Sequence, residues 1–287
     1  MKMTVIIPSY NRETNLKKNL TCLMRQTIFE TPHEVDIIVV DDDSTDSTQR
    51  VVEEFPVYYL KHTPRTDWNA SKPRNYGAQA SDVTSDLLYF LDSDVMLPPD
   101  RLQRIIDVYS ANPIISRVII GPYHCSRYNL DTTDPTWYMD KIVDYAGDIR
   151  WELFNKTEHT ALNSGLNFAL ACFGGSLAIP RKLFFKAGGF DEEMLSGVED
   201  GDFGLTLWET GAFVSMDKGL LGWHNPHEIV AGRTAHIQTC IEKLNKKHNM
   251  DIVKETGKVY RTWGLNWEPP ESWVSKSGYT KEELKTI

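Results

Sequence analysis

The chain has 287 residues, 41% of them hydrophobic, and a formal net charge of −9 at pH 7. This length and composition are typical of a globular protein with one large domain or two small ones. The negative charge argues against nucleic acid as a partner, because a phosphate backbone is bound by cationic surfaces. The sequence contains no apolar run of membrane-spanning length, and it begins without the apolar core of a signal peptide.

The cysteine pattern indicates a reducing environment. The cysteines are far apart and form no CxxC pair, which argues against a disulfide framework and against a zinc knuckle. They are Cys22, Cys125, Cys172 and Cys240. We therefore expect a soluble, cytoplasmic protein with reduced thiols, and peripheral contact with a membrane stays open.

Strand and helix patterns alternate over residues 1–121. Short apolar runs rich in β-branched residues predict strands at 3–7, 35–40, 57–60, 87–91 and 114–120. Apolar residues at helical spacing predict helices at about 16–24, at 71–81 and at 98–109. Good N-cap residues at 41–46 predict another helix, which ends near Phe55. Nearly continuous apolar strands that alternate with helices predict a mostly parallel sheet covered on both faces.

Three of the predicted strands end in polar clusters, at residues 8–12, 41–46 and 92–94. Ligands of parallel sheets bind at the carboxyl ends of strands, so these clusters predict a pocket at one edge. Within the third cluster, Asp92 and Asp94 are spaced i, i+2 and lie on one side of an extended backbone. Two like charges so close need a cation, and we expect a divalent metal that carries a phosphate. Taken alone, the segment also suits a polar turn.

The chain after residue 121 is less regular. Residues 122–165 intersperse aromatic with acidic residues and predict either a lid or a small satellite core. Beyond them, strands are predicted at 168–173, 176–179 and 212–216, and helices at 181–187 and 230–249.

Glycines surround a group of carboxylates at residues 197–204. A helix dipole favours acidic residues at its N-terminus, which gives Glu199 and Asp202 a structural explanation. Asp200 is a candidate for chemistry, because neighbouring glycines let another molecule approach the backbone closely. Further on, His224 is predicted to ligate the metal, with His227 as the alternative.

Together these motifs resemble the GT-A-fold glycosyltransferases of the family 2 type. Residues 5–12 resemble that family's opening strand and nucleotide loop, and residues 37–46 its uracil-binding acidic turn, with Asp43 where glycine is usual. Residues 74–77 resemble its arginine-asparagine helix start, and Asp92-Ser93-Asp94 its DxD metal motif. The acceptor-side motifs, similar to those of galactosyltransferases and polypeptide N-acetylgalactosaminyltransferases, are residues 174–175, 188–191 and 199–200.

The resemblance implies a GT-A fold, in which helices flank a mostly parallel α/β sheet with a smaller acceptor-side subdomain. It divides the chain into a nucleotide-sugar-binding half at 1–121, an acceptor-binding and catalytic half at 122–250, and a C-terminal tail at 251–287. The implied activity is metal-dependent transfer of a sugar from a nucleotide, with UDP expected, to a hydroxyl group. The acceptor would be a glycan, a lipid-linked molecule or a protein. Inversion at the anomeric carbon is favoured, and retention stays an alternative.

The resemblance also implies roles for individual residues. Asp200 would act as general base, and Glu199 would bind acceptor hydroxyls. Asp94, Asp92 and His224 would hold Mn²⁺ or Mg²⁺, and the imidazole tilts the choice towards Mn²⁺. Asp42 would accept the uracil N–H, while Arg74 would pair with the base or with a phosphate oxygen. The nucleotide-binding set comprises Pro8, Ser9, Tyr10, Arg12, Asp42, Arg74, Asp92 and Ser93.

Two other functions are weaker alternatives. A nucleotidyltransferase that makes sugar nucleotides would need a glycine-rich phosphate loop after its first strand, and residues 8–12 contain no glycine. A non-catalytic nucleotide-sugar-binding or carbohydrate-binding subunit would not require the acidic groups that this chain carries. Walker A, GxSxG and HExxH patterns are absent from the sequence, which excludes kinase-like, serine-hydrolase and zincin functions.

Overall fold

The computed structural model describes residues 1–63, 69–111, 116–126, 130–133, 145–146, 172–195, 197–227 and 237–249. In chain order, the strands of this part are β1 (Lys2–Ser9), β2 (Glu34–Asp41), β3 (Tyr58–Lys61), β4 (Leu87–Leu91), β5 (Val95–Met96), β6 (Arg117–Ile120), β7 (Tyr123–Ser126), β8 (Tyr145–Ala146), β9 (Ser176–Pro180), β10 (Phe213–Met216) and β11 (Gly222–His224). The α-helices are α1 (Glu13–Leu23), α2 (Thr48–Val52), α3 (Ser71–Ala80), α4 (Arg101–Ala111), α5 (Arg181–Ala187), α6 (Glu199–Glu209) and α7 (Ile237–Lys247). Short 3₁₀ helices lie at Thr27–Glu30 and Lys218–Leu220.

Two sheets organise the described residues. The larger has seven strands in the order β10-β6-β9-β4-β1-β2-β3, and the smaller has the order β5-β11-β7-β8. The neighbours from β4 to β3 and the pair β10–β6 run parallel, which confirms the predicted mostly parallel sheet. Strand β9 is antiparallel to both of its neighbours. Its first residue, Ser176, pairs with Leu91, so the chain enters β9 from the edge where β4 ends.

Helices cover both faces of the large sheet. Val5 and Ile7 of β1 belong to a core cluster shared with α1, α2 and α4, whereas Ile6 belongs to the opposite cluster with α3, α5 and α6. Successive side chains of a strand point to opposite faces, so a strand buried on both faces has to be apolar throughout. All five residues of β4 are buried, which explains the uninterrupted run Leu87–Leu91.

The bounds of several elements differ from the prediction or reach the limit of the described residues. Helix α2 ends at Val52 rather than near Phe55. The N–H groups of Glu54 and Phe55 bond to carbonyls three residues back and tighten the chain into a turn. The structure describes β6 from Arg117 and α7 from Ile237, and residues 112–115 and 230–236 lie outside the described part. The strand predicted at 168–173 is wrong for residues 172–173, which lie in a loop, and its other residues are not described. Most of 122–165 and all of 251–287 also lie outside the description.

Two expectations from composition can be compared with the structure. Cys22, Cys172 and Cys240 are buried and are not part of a disulfide among the described residues, and the side chain of Cys125 is outside the described part. None of the described helices is long and apolar enough to cross a membrane.

Helix α3 comes very close to the sheet at Gly77. A Cβ atom there would stand 2.5 Å from Cγ2 of Ile6 and 3.0 Å from Cγ2 of Val40, and both side chains are buried. We expect Gly77→Ala to lower the free energy of unfolding by about 1–3 kcal/mol, as overpacking does elsewhere. Chemical denaturation measures this, with Gln79→Ala on the exposed face of the helix as a control that stays within about 0.5 kcal/mol of the parent. A Gly77→Ala variant as stable as the parent would contradict the close packing.

Candidate active site

The three predicted polar clusters lie at one edge of the large sheet. Strands β4, β1 and β2 are parallel neighbours, so their carboxyl ends point the same way. The N–H of Asp42 donates to the carbonyl of Ser9 at 2.8 Å, and the N–H of Asn11 donates to Oγ of Ser44 at 2.9 Å. The predicted nucleotide loop, residues 8–12, and the acidic turn therefore form one continuous rim.

The acidic turn after β2 is held in place from β3. Asp41 accepts a hydrogen bond from the hydroxyl of Tyr59 at 2.7 Å, and the buried Asp42 lies 2.9 Å from Nδ1 of His62. Asp43 has a φ of +67°, a conformation that glycine adopts more readily. This conformation accounts for the glycine that is usual at this position of the family's acidic turn. His62 was not among the predicted site residues. Its position just beyond β3, at the carboxyl end of the next parallel strand, is the signal that points to it.

Arg74 of α3 is the centre of a buried charge cluster. Its Nη2 atom lies 3.0 Å from Asp92, and its Nη1 atom lies 3.2 Å from Asp200 and 3.5 Å from Glu199. The sequence predicted that Arg74 pairs with a base or a phosphate. In the structure both terminal nitrogens contact protein carboxylates, because α3, the end of β4 and the start of α6 converge on the guanidinium, and pairing with a nucleotide stays a prediction. Three carboxylates around one guanidinium leave excess negative charge at this point.

Asp200 lies in the first turn of α6 and is only partly covered, with 18% of its side chain exposed. Its Oδ1 atom accepts the N–H of Gly174 at 3.0 Å. Burial raises the pKa of Asp200 to about 7, and the charges of Glu199 and Asp92 add to the rise while Arg74 opposes it. A carboxyl group with this pKa can hold or accept a proton near neutral pH.

The two neighbouring acidic residues of α6 have structural partners. Glu199 is buried and accepts the N–H of Gly197 at 2.6 Å. Asp202 is 1% exposed and binds Lys247 at 2.8 Å and His248 at 2.9 Å, so it ties the end of α7 to α6. Asp202 thus has the structural role expected of it, and binding of acceptor hydroxyls by Glu199 stays a prediction.

The pair Gly174 and Gly175 lets β9 approach the carboxylates. A Cβ atom on Gly174 would stand 2.7 Å from Cζ of Arg74, and one on Gly175 would stand 2.7 Å from Oδ2 of Asp92. The N–H of Asp92 also donates to the carbonyl of Gly175 at 3.1 Å. Any side chain at these two positions would therefore displace the charge cluster.

Asn75 connects two motifs that are distant in sequence. Its side-chain amide donates to the carbonyl of Phe190 at 2.8 Å and accepts the N–H of Phe190 at 3.0 Å. A Cβ atom on Gly189 would stand 2.8 Å from Oδ1 of Asn75. The arginine-asparagine motif and the glycine motif at 188–191 are therefore two halves of one structural unit.

Asp94, His224 and His227 form a group able to hold a metal ion, with ligand atoms that all lie within 4.8 Å of one another. Oδ1 of Asp94 is 3.5 Å from Nε2 of His224, and Oδ2 is 3.2 Å from Nε2 of His227. The structure thus brings together the predicted ligands Asp94 and His224 and adds the alternative, His227. Asp92, a third predicted ligand, lies outside this group because Arg74 binds its carboxylate.

The charge and hydrogen bonding of Asp94 fit a divalent cation. Burial acts to raise its pKa, but His224, His227 and Arg12 outweigh burial and hold the pKa well below its usual range. Its Oδ1 atom is buried and has no hydrogen-bond partner among the residues that the structure describes. One carboxylate oxygen is therefore left with an unused acceptor site beside an imidazole. A carboxylate and an imidazole together suit Mn²⁺ better than Mg²⁺.

Asn225 positions His224 and His227 relative to Asp94. It is fully buried between them, and its backbone N–H donates to the carbonyl of Asp94 at 2.8 Å. Its side chain donates to Oδ1 of Asn15 in α1 at 2.7 Å and accepts the N–H of Leu130 at 2.8 Å. The geometry of the possible metal site is therefore set by contacts of Asn225 with three other parts of the chain.

The sequence matches the family model described as glycosyl transferase family 2 over residues 4–176, which is more than half of the chain. The chain therefore belongs to this family, and the predicted resemblance is confirmed. Membership also removes the nucleotidyltransferase alternative. The match includes all three polar clusters and ends before Asp200 and His224.

A relative of known activity is validoxylamine A glucosyltransferase of Streptomyces hygroscopicus subsp. limoneus. It is 29% identical over an alignment of 242 residues, and the alignment covers 79% of this chain and 52% of the relative. The chain thus spans about half of the length of this relative.

Two solved structures share the fold. The S. aureus TarS 1-349 structure in complex with UDP-GlcNAc has a TM-score of 0.61 at 20% identity and covers 95% of this chain and 69% of that chain. The mannosyltransferase PcManGT from Pyrobaculum calidifontis was solved in complex with GDP-Man and Mn²⁺. It has a TM-score of 0.56 at 15% identity, and the match covers 96% of this chain and 72% of PcManGT. At these identities the likeness concerns the fold alone, and it confirms the predicted α/β GT-A architecture.

Proposed function

We propose that the chain transfers a sugar from a UDP-sugar to a hydroxyl group of an acceptor, in a reaction that needs a divalent cation. The observation that carries the proposal is the presence of two separate sites near the carboxyl end of β4. One is the metal-binding group of Asp94 and His224, and the other is a separate carboxyl group, Asp200, whose pKa is raised to about 7. Asp92 lies two residues before Asp94 and contacts Arg74, which also contacts Asp200.

The donor would lie along the rim formed by residues 8–12, the acidic turn and the end of β4. Asp42 would accept the uracil N–H, and its buried carboxylate is already held by His62. Asp94 and His224 would hold Mn²⁺, which when bound neutralises the diphosphate and acts as a Lewis acid. A UDP-sugar is favoured because TarS, which shares the fold, was solved with UDP-GlcNAc. Mn²⁺ is favoured by the imidazole and by its presence in the PcManGT structure.

Asp200 would take the proton from the acceptor hydroxyl as that hydroxyl attacks the anomeric carbon. With a pKa of about 7, about half of the Asp200 carboxyl groups are ionised at neutral pH, and the ionised form is basic enough for efficient general-base catalysis. Gly174 and Arg74 fix the direction of the carboxylate. A base on the protein corresponds to inversion at the anomeric carbon.

The acceptor would be a glycan, a lipid-linked molecule or a protein, bound on the side of β9 and α6. Glu199 would contact its hydroxyls. We place the reaction in the cytoplasm, and the wide spacing of the cysteines in the sequence supports a reducing compartment.

The proposal is tested by screening UDP- and GDP-sugars for hydrolysis with Mn²⁺ in the absence of acceptor. We expect hydrolysis of at least one UDP-sugar, its loss in EDTA and its recovery when Mn²⁺ is added back. Calorimetry of UDP binding under the same conditions should follow the same pattern. Preference for GDP-sugars would overturn the UDP assignment, and chelator-insensitive binding would overturn the metal. Tight donor binding without hydrolysis or transfer would indicate the non-catalytic subunit.

A further inference from the structure

The two histidines beside Asp94 have different surroundings. His227 lies between two groups of opposite charge, with Nε2 at 3.2 Å from Oδ2 of Asp94 and Nδ1 at 3.0 Å from Nη2 of Arg12. A guanidinium nitrogen can only donate a hydrogen bond, so Nδ1 of His227 has to accept. The neutral ring then carries its proton on Nε2, where it faces the carboxylate of Asp94. A ring nitrogen that carries a proton has no lone pair for a metal ion.

Arg12 is well placed to keep His227 in this tautomer. Its other terminal nitrogen donates to the carbonyl of Asn11 at 3.2 Å. Asn11 is itself fixed to the acidic turn, because its side chain accepts the N–H of Thr45 at 2.8 Å and its N–H donates to Ser44 at 2.9 Å. The guanidinium is therefore supported by the rim of the site.

His224 occupies the other side of Asp94. Its Nε2 atom is 3.5 Å from Oδ1, the oxygen that is buried and has no hydrogen-bond partner among the described residues. Its ring stacks on Tyr123 with centroids 5.7 Å apart and an angle of 26°. The unused acceptor site of Asp94 thus lies on the side of His224, whereas the oxygen on the side of His227 already has a donor.

We propose that His227 is a positioning residue and not a metal ligand: Arg12 holds it in the Nε2–H tautomer, and it orients the carboxylate of Asp94 while His224 ligates the cation. This inference rests on the proposed function in that the site binds a divalent cation. Two imidazoles and a carboxylate together would form a tight site for metals such as Zn²⁺ or Fe²⁺. One imidazole and one carboxylate leave more of the coordination shell to oxygen ligands, such as those of a diphosphate.

The tautomer can be measured without any metal. Long-range ¹H–¹⁵N correlation spectra of the metal-free protein at pH 8 should show His227 as the Nε2–H form. In Arg12→Met, which removes the donor, the Nδ1–H form should appear. An Nδ1–H tautomer in the parent protein would overturn the inference, whether or not the chain proves to be a transferase.

The ligand assignment is tested with Mn²⁺ and UDP by electron spin echo envelope modulation, which detects directly bound imidazole nitrogen. We expect coupling to one imidazole, lost in His224→Ala and kept in His227→Ala. Loss of an outer hydrogen bond to a ligand typically lowers metal affinity about 10–100-fold, and His227→Ala should fall in that range. The amide of His227→Gln can still donate to Asp94, so this variant should recover most of the lost affinity. If His227 only filled space, restoring a hydrogen-bond donor would not restore the affinity.

The outcomes separate this inference from the proposed function. Coupling to two imidazoles, or its loss in His227→Ala, would make His227 a ligand and overturn the inference while leaving the transferase intact. Absence of Mn²⁺ binding in the parent protein would remove the metal from the proposed function and this role of His227 with it. Thermal melts of each variant show whether a change in affinity reflects the site or the fold.

Discussion

Asp200→Asn is expected to lower kcat for sugar transfer by about 10²–10⁴-fold, the range typical for loss of a general base. Asparagine keeps the size of the side chain and an oxygen that can accept the N–H of Gly174. It cannot take the proton of an acceptor hydroxyl. Arg74 retains Asp92 and Glu199 as partners, so UDP binding in Mn²⁺ should stay within about twofold of the parent, a change of less than about 0.5 kcal/mol. Steady-state transfer and calorimetry measure the two effects separately.

A matched control for this variant is Asp107→Asn. Asp107 lies in α4 and accepts a hydrogen bond from Gln103 at 2.7 Å on the exposed surface of that helix. Asp107→Asn removes the same charge at a position outside the proposed active site and should leave kcat unchanged. Transfer by Asp200→Asn at the parental rate would show that another group, or water, takes the proton.

The same carboxyl group should set the pH dependence of the parent protein. Only ionised Asp200 can act as a base, so the rate should rise with pH and level off above about 7. This rise with pH should be absent from the residual rate of Asp200→Asn.

The contribution of Asp200 to the free energy of unfolding should change with pH in the opposite direction. The folded-state pKa of Asp200 lies above its ordinary value of 3.8, so folding favours the protonated form, and that contribution is lost as pH rises from about 4 to about 7. Asp200→Asn should therefore gain stability relative to the parent between pH 4 and pH 8.

Asp94→Asn is expected to reduce Mn²⁺ affinity by more than the roughly 100-fold that marks the upper range for loss of an outer-sphere contact. The carboxylate is the only acidic member of the metal-binding group found among the described residues. UDP binding in Mn²⁺ should then fall to the level of the parent protein in EDTA. Fluorescence or calorimetric titration of Mn²⁺ and of UDP measures both effects.

Asp92→Asn is the informative comparison for this second variant. Both residues belong to the DxD motif, but Oδ1 of Asp92 lies 3.0 Å from Arg74 and outside the group of Asp94, His224 and His227. Its Mn²⁺ affinity should fall less than that of Asp94→Asn. Equal losses would make Asp92 a direct ligand and would require its carboxylate to leave Arg74 when the metal binds. Unchanged Mn²⁺-dependent UDP binding in Asp94→Asn would remove the metal site altogether.

Much of the site could be read from local sequence patterns. A buried parallel strand needs an uninterrupted apolar run, and its ligand-binding end needs a change to polar residues, so both signals occur within about ten residues. Asp42 and Asp92 were found in this way, and the sheet order places both at the same edge. The glycine pairs were also visible, because only glycine allows the approach that Gly175 makes to Asp92.

The partners of Arg74 could not be predicted. Its contacts with Asp200 and Glu199 join residues more than 120 positions apart, and nothing in the local pattern distinguishes a guanidinium that binds phosphate from one that binds protein carboxylates. The same is true of His62, whose bond to Asp42 depends on the pairing of β2 with β3.

The sequence by itself determined the class of sheet, the edge that carries the site and the family, since each depends on short-range periodicity or on motifs in a fixed order. Only the tertiary structure decided which charges meet. Asp92 and Asp94 are two residues apart, yet one binds the guanidinium of Arg74 and the other lies between two histidines. The reason is physical: the protonation and metal affinity of a carboxylate depend on charges within a few ångströms, and folding brings those charges from distant parts of the chain.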